Sequence, residues 1–164
     1  MRIDVSELLQ SPIGTQVDLD LNLGFQRLGG DVDVHSIQGT LNMLRTTEGI
    51  WVRGSLAVDL DLQCVRCLTS VSESIEIELD ERFQTLPIAK SDEDQVYPIS
   101  TDHHIDLEPA LRELIVVNTP MRVLCDQECK GICPTCGQNL NEGSCDCTPD
   151  DIDPRMAALK ALLN

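Results

Sequence analysis

Leu56-Ala57-Val58-Asp59-Leu60-Asp61-Leu62-Gln63-Cys64-Val65-Arg66-Cys67 is the stretch that decides the fold. Leu56, Val58, Leu60 and Leu62 alternate with Ala57, Asp59 and Asp61, the period of a strand with one buried face. The strand runs directly into two cysteines separated by two residues, a spacing that lets both sulfurs reach one metal ion. The same alternation recurs at Val17, Leu19, Leu21 and Leu23 opposite Asp18, Asp20 and Asn22, and at Ile75, Ile77 and Leu79 opposite Glu76, Glu78 and Asp80. Val71 is in phase with the last set, but Glu73 would then point inward, so that strand reaches the core only from Ile75. Between Ser36 and Gln63 two apolar-rich runs flank Thr46-Thr47-Glu48-Gly49, which reads as a long hairpin with Gly49 supplying a positive φ. The outer faces are acidic. Facing carboxylates on neighbouring strands repel by roughly a few tenths of a kcal/mol per pair unless a cationic surface covers them.

Leu86 to His104 has two prolines, the run Asp92-Glu93-Asp94 and little periodicity, and is read as a loop or linker. From Asp106 the chain reads as a helix capped by Asp106, with Pro109 in the first turn and Leu107, Leu111, Leu114 and Ile115 on one face, ended by Asn118-Thr119-Pro120. Asp153-Pro154-Arg155 signals a second helix carrying Met156, Leu159, Leu162 and Leu163 on its apolar side. Leu28-Gly29-Gly30-Asp31 is a turn, since no Gly-Lys-Ser/Thr follows to make a phosphate loop. The expected fold class is α+β: an antiparallel β-rich body, either a sheet or a partly closed barrel, with a helix near 106–118 and a C-terminal cysteine-rich zinc-knuckle module. The body is placed at 1–120, the module and its helix at 121–164.

All eight cysteines fall in close pairs: Cys64 with Cys67, Cys125 with Cys129, Cys133 with Cys136, and Cys145 with Cys147. Four pairs of soft thiolates suit two tetrahedral zinc sites, and closed four-thiolate sites leave no position for substrate, so the chemistry expected is structural. The preferred partition puts Cys133, Cys136, Cys145 and Cys147 on one ion, within a short closable loop. Cys64, Cys67, Cys125 and Cys129 then hold the other and clip the hairpin end to a distant segment. An alternative partition joins Cys125, Cys129, Cys133 and Cys136, and leaves Cys64 and Cys67 to meet Cys145 and Cys147. Arg66, between two ligands, is read either as an offset to thiolate charge or as an ordinary exposed arginine.

The 164 residues carry a net charge of −16, with only 12 Lys and Arg and four aromatics, which argues against an independent grip on RNA by counterion release or base stacking. A basic protein partner suits this charge better. Residues 69–113 hold twelve acids against three bases. No leader-like or membrane-spanning apolar run is found, so a cytoplasmic location is expected, where reduced thiols favour metal over disulfides. His35, His103 and His104 have no spacing to a nucleophile that would indicate an enzyme, although His103-His104 could bind metal weakly.

The motifs Leu62-Gln63-Cys64-Val65-Arg66-Cys67-Leu68 and Cys125-x-x-x-Cys129-x-Gly131-Ile132-Cys133-Pro134-Thr135-Cys136-Gly137-Gln138-Asn139-Leu140-Asn141, followed by Cys145-x-Cys147 and Asp153-Pro154-Arg155, resemble those of the YceD family, also called domain of unknown function 177. The resemblance implies a protein required for accumulation of 23S ribosomal RNA of the large subunit. The function expected is therefore a non-enzymatic ribosome-biogenesis factor whose acidic surface meets a basic ribosomal protein or a large-subunit precursor. The competing readings are a zinc-dependent redox switch and an RNA-binding zinc module using the basic residues near Arg122 and Lys130.

Overall fold

In the computed structural model, which describes residues 1–85 and 96–147, the chain forms two compact units. The first comprises Met1–Leu62 and the described part of Ser72–Met121, and the second takes Gln63–Val71 together with the described residues from Arg122 onward. The helix expected after Asp153 lies outside the described residues, as does the part of the expected loop at 86–95.

The first unit is built on strands β1 (Arg2–Asp4), β2 (Gln16–Leu23), β3 (Gln26–Leu28), β4 (Val32–Arg45), β5 (Gly49–Gln63), β6 (Ser70–Thr85), β7 (Val96–Ile99) and β8 (His104–Asp106), with helices α1 (Ser6–Gln10) and α2 (Glu108–Asn118). The large sheet runs β2-β4-β5-β6-β7, with β3 also paired to β4, and a small sheet pairs β1 with β8. Both sheets are open, so the barrel alternative is not realised. The expectation of a wholly antiparallel body is also corrected, because β6 and β7 are parallel. Period-two alternation reports which face a residue occupies and carries nothing about strand direction. Pro98, which lacks an N–H, is tolerated in β7 because that strand is an edge.

The expected loop to His104 is likewise corrected over Val96–Ile99 and from His104 onward, where β7 and β8 lie. Strands of three or four residues are too short to display a period. The β4–β5 hairpin turns where expected, but Gly49 does not adopt a positive φ. Its role is close approach: a Cβ at Gly49 would lie 1.9 Å from the Phe83 carbonyl oxygen. Val17, expected inside, is 44% exposed near the start of the edge strand β2, whereas Leu21 in the same phase is buried. Ile75 packs against the core and Ile77 is fully buried, so β6 enters the core where Glu73 predicts.

Val34 and Ser36 of β4 face Leu60 and Asp59, so His35 is an extra residue and the register shifts there. Such a bulge reverses the inward phase, which is why Val34 and Ile37 are both buried. Inward residues of β4, β5 and β6 join Leu8, Leu107, Ala110, Leu111 and Ile115 in one core. The N-cap of α2 is Leu107 rather than Asp106. Asp106 ends β8 and accepts the Glu108 N–H at 3.1 Å from just outside the helix. Arg112 of α2 grips Asp31 in the β3–β4 turn, its Nε 2.8 Å from the carboxylate, and this pairing holds the Asp31 carboxyl below its ordinary range.

The outer-face acids of β2 and β5 meet hydrogen-bond donors on neighbouring strands. Asp20 accepts from the Thr40 hydroxyl at 2.7 Å and Asp18 from the Asn42 amide at 2.7 Å, each across a paired register position. Asp59 accepts from Ser36 at 2.6 Å and Asp61 from Ser72 at 2.7 Å, and His35 Nε2 lies 2.9 Å from Asp61. The Ser36 and Ser72 hydroxyls hold the Asp59 and Asp61 carboxyls below the ordinary range. The repulsion expected across these strands is thus relieved inside the sheet by neutral donors.

Candidate metal centres

The second unit begins where β5 ends. Cys64 follows the last strand residue, and the chain turns back at once: the Leu68 N–H donates to the Cys64 carbonyl at 2.9 Å, and the Cys64 N–H to the Thr69 carbonyl at 2.9 Å. The same two bonds recur in the other knuckle, from the Gly137 N–H to the Cys133 carbonyl at 2.8 Å and from the Cys133 N–H to the Gln138 carbonyl at 2.8 Å. The residue after the second cysteine is left-handed in both, with φ of 62° at Leu68 and 75° at Gly137. Glycine adopts this conformation without cost, whereas a side chain there costs roughly 1–2 kcal/mol.

Three backbone and side-chain contacts bring the distant cysteines to the first knuckle. The Val65 N–H donates to the Val123 carbonyl at 2.9 Å, the Ile132 N–H to the Arg66 carbonyl at 3.1 Å, and the Arg66 guanidinium to the Cys129 carbonyl at 2.8 Å. Arg66 therefore ties two chain segments together through a carbonyl. The Asp126 carboxylate accepts the Glu128 N–H at 2.7 Å, shaping the turn between Cys125 and Cys129.

The sulfurs gather in two tetrads, Cys64 with Cys67, Cys125 and Cys129, and Cys133 with Cys136, Cys145 and Cys147. Within each, all four sulfurs lie within 4.8 Å of one another, the grouping of the first partition. Four thiolates about 2.3 Å from one central ion sit about 3.8 Å apart. Cys64 and Cys129 are 3.9 Å apart at sulfur, and Cys67 and Cys125 3.4 Å. The donor sets thus fit a tetrahedral ion, and both tetrads could hold a metal. Neither contains His103 or His104. His103 sits in the turn before β8 with φ of 59°, and His104 Nδ1 is 2.8 Å from the Asp102 carbonyl.

The electrostatics of each tetrad suit a cation. Backbone N–H groups of Cys125 and Cys67 lower the Cys64 thiol to about 6, and those of Cys136 and Thr135 lower Cys133 to about 6. Sulfur neighbours have the opposite effect, with Cys67 pushing Cys125 up to about 12 and Cys136 pushing Cys147 up to about 12. In the first tetrad the Thr69 hydroxyl and N–H also hold the Cys67 thiol below its ordinary value, so local donors stabilise some of the thiolates while sulfur neighbours resist others. A divalent ion removes that resistance.

The two tetrads differ in their surroundings. In the first, Cys64, Cys67 and Cys129 are buried with Val71, Leu124 and Ile132 packed around them and Cys125 is exposed; in the second, Cys133 is buried, Cys145 half-buried, and Cys136 and Cys147 exposed. The first also has outer partners: the Asn141 amide nitrogen is 3.3 Å from the Cys129 sulfur, and the Thr69 hydroxyl 3.2 Å from that of Cys67. Such groups orient ligands and tune the metal. Sequence spacing gave no sign of Asn141, which reaches a sulfur twelve positions away.

The comparisons with known proteins follow this framework. Residues 52–163 match the family model described as large ribosomal RNA subunit accumulation protein YceD. An uncharacterized protein of Mycobacterium tuberculosis is 32% identical over 127 residues, 75% of this chain and 60% of that protein. The protein YlbN of Bacillus subtilis is 32% identical over 110 residues, 66% of this chain and 63% of its own length. An Arabidopsis thaliana protein named large ribosomal RNA subunit accumulation protein YCED homolog 1, chloroplastic, is 24% identical over 178 residues, 92% of this chain and 53% of that protein. The chain therefore spans roughly 53 to 63% of the length of these relatives. No solved structure matches significantly. Among the described residues no helix is long and apolar enough to cross a membrane. With the family model covering both cysteine tetrads and the chain from within β5 onward, more than half of its length, the chain belongs to the YceD family of large ribosomal RNA subunit accumulation proteins.

Proposed function

We propose that this protein is a non-enzymatic, cytoplasmic ribosome-biogenesis factor that supports accumulation of 23S ribosomal RNA, with two structural zinc ions and an acidic surface for a basic ribosomal protein or a large-subunit precursor. Family membership is the observation that carries the reading. The net charge of −16 supports a cationic partner, and the all-sulfur, closed character of the tetrads supports zinc in a structural role. A tagged copy purified at low salt is expected to retain large-subunit precursors or a basic ribosomal protein, released as salt screens the contact. A low-salt preparation that carries neither contradicts the reading.

The exposed residues Cys136 and Cys147 favour a second reading, a redox switch in which two equivalents of peroxide, reduced to water, oxidise the second tetrad to two disulfides and expel its metal. Mild peroxide would then release one zinc per chain and thiol reductant would restore the site. Unchanged zinc content under peroxide removes this reading.

A further inference from the structure

Leu68 occupies a backbone position that its counterpart Gly137 fills without strain, and its side chain is 57% exposed, so burial does not repay the conformation. Val65, in the same knuckle, is 52% exposed. Arg66 between them is turned onto the Cys129 carbonyl, which leaves two apolar side chains as the free groups of this tip. Single exposed apolar residues are ordinary. An apolar residue held at a strained position beside a metal-clipped turn is less so, because glycine would serve the turn better.

The next residue, Thr69, lines a surface pocket of about 380 Å³ beside Cys125 and Cys129 of the first tetrad, whose walls also include Asp126, Glu128 and Glu142, with no basic side chain among the described lining residues. Asp126 and Glu142 are fixed in place by the Glu128 N–H and by the Asn139 amide. An apolar tip adjoining in sequence a pocket that carries three carboxylates is complementary to a segment that alternates apolar and cationic side chains. We propose that the first knuckle is the docking point for a basic protein segment, with Val65 and Leu68 receiving an apolar side chain and the pocket receiving a neighbouring lysine or arginine. This deepens the basic-partner reading above and rests on it.

The test uses two short fluorescent peptides of equal positive charge, one alternating lysine with leucine and one alternating lysine with serine, titrated against the metal-loaded chain. The leucine peptide is expected to bind more tightly to wild type, and Leu68→Gly to weaken it about tenfold. Leu68→Gly relaxes the backbone, so metal content and melting temperature should be kept or raised, which separates lost docking from lost folding. Wild type that binds both peptides equally, or Leu68→Gly and Leu68→Ser variants that bind the leucine peptide as wild type does, overturns this inference and leaves the basic-partner reading standing. Absence of binding to either peptide contradicts both.

Discussion

Cys64→Ser is expected to cost the chain one metal ion and the order of its second unit. Among the described residues the apolar cluster there consists of Cys64, Cys67 and Cys129 with Val71, Leu124 and Ile132 partly buried around them, far too little to offset the entropy of ordering these segments. Structural zinc supplies about 10–16 kcal/mol in small sites, and there binding and folding are one event. Losing a ligand should weaken the site by more than the roughly 100-fold that loss of an outer partner can cost. Hydrogen exchange is therefore expected to show amides of 63–71 and 122–132 losing protection while Leu41, Val52 and Leu56 in the first unit keep theirs. Cys147→Ser should release the other ion and leave the first site protected. Retained protection around Cys64 in the first variant would assign that order to ordinary packing.

Phe83→Ala carries the second large effect, in the other unit. Phe83 is fully buried and stacks on Tyr97 with ring centroids 5.4 Å apart. Truncating a buried aromatic removes its transfer energy and leaves a cavity, about 3–5 kcal/mol in total. Urea unfolding followed at Trp51 should show a lower midpoint at constant slope, the slope times the shift giving that loss, with metal content unchanged. A loss under about 1 kcal/mol would mean that Phe83 is not packed as described.

The long strands were legible because Leu56, Val58 and Leu60 repeat an inward phase often enough for the period to emerge. Three things obscured the remainder. Short strands such as Val96–Ile99 and His104–Asp106 hold too few residues to show a period, and they depend on partners far away in sequence. The bulge at His35 resets the phase of β4, which is visible only when Val34 and Ser36 are matched to Leu60 and Asp59. Gly49 was legible as a necessary glycine but for another reason, since its constraint comes from Phe83 on a strand more than thirty residues later.

The cysteine tetrads were legible as pairs because metal-ligand spacing is local, whereas which pairs meet is a tertiary fact. It is fixed by contacts such as Val65 with Val123 and Arg66 with Cys129. The acidic sheet face was legible as a charge pattern, but its repulsion was overestimated. Composition does not reveal that Asp18 and Asp20 stand opposite Asn42 and Thr40. Total charge and the carboxylates at the pocket of the second unit, and not strain within the sheet, are what favour a basic partner.

The central claim is that two metal ions hold the cysteine framework in place. Native mass spectrometry of the protein purified without chelator tests it most directly. Two zinc ions per chain are expected, the ion of the exposed tetrad leaving before that of the buried one as chelator is added. A metal-free chain whose second unit still shows native hydrogen-exchange protection would contradict it.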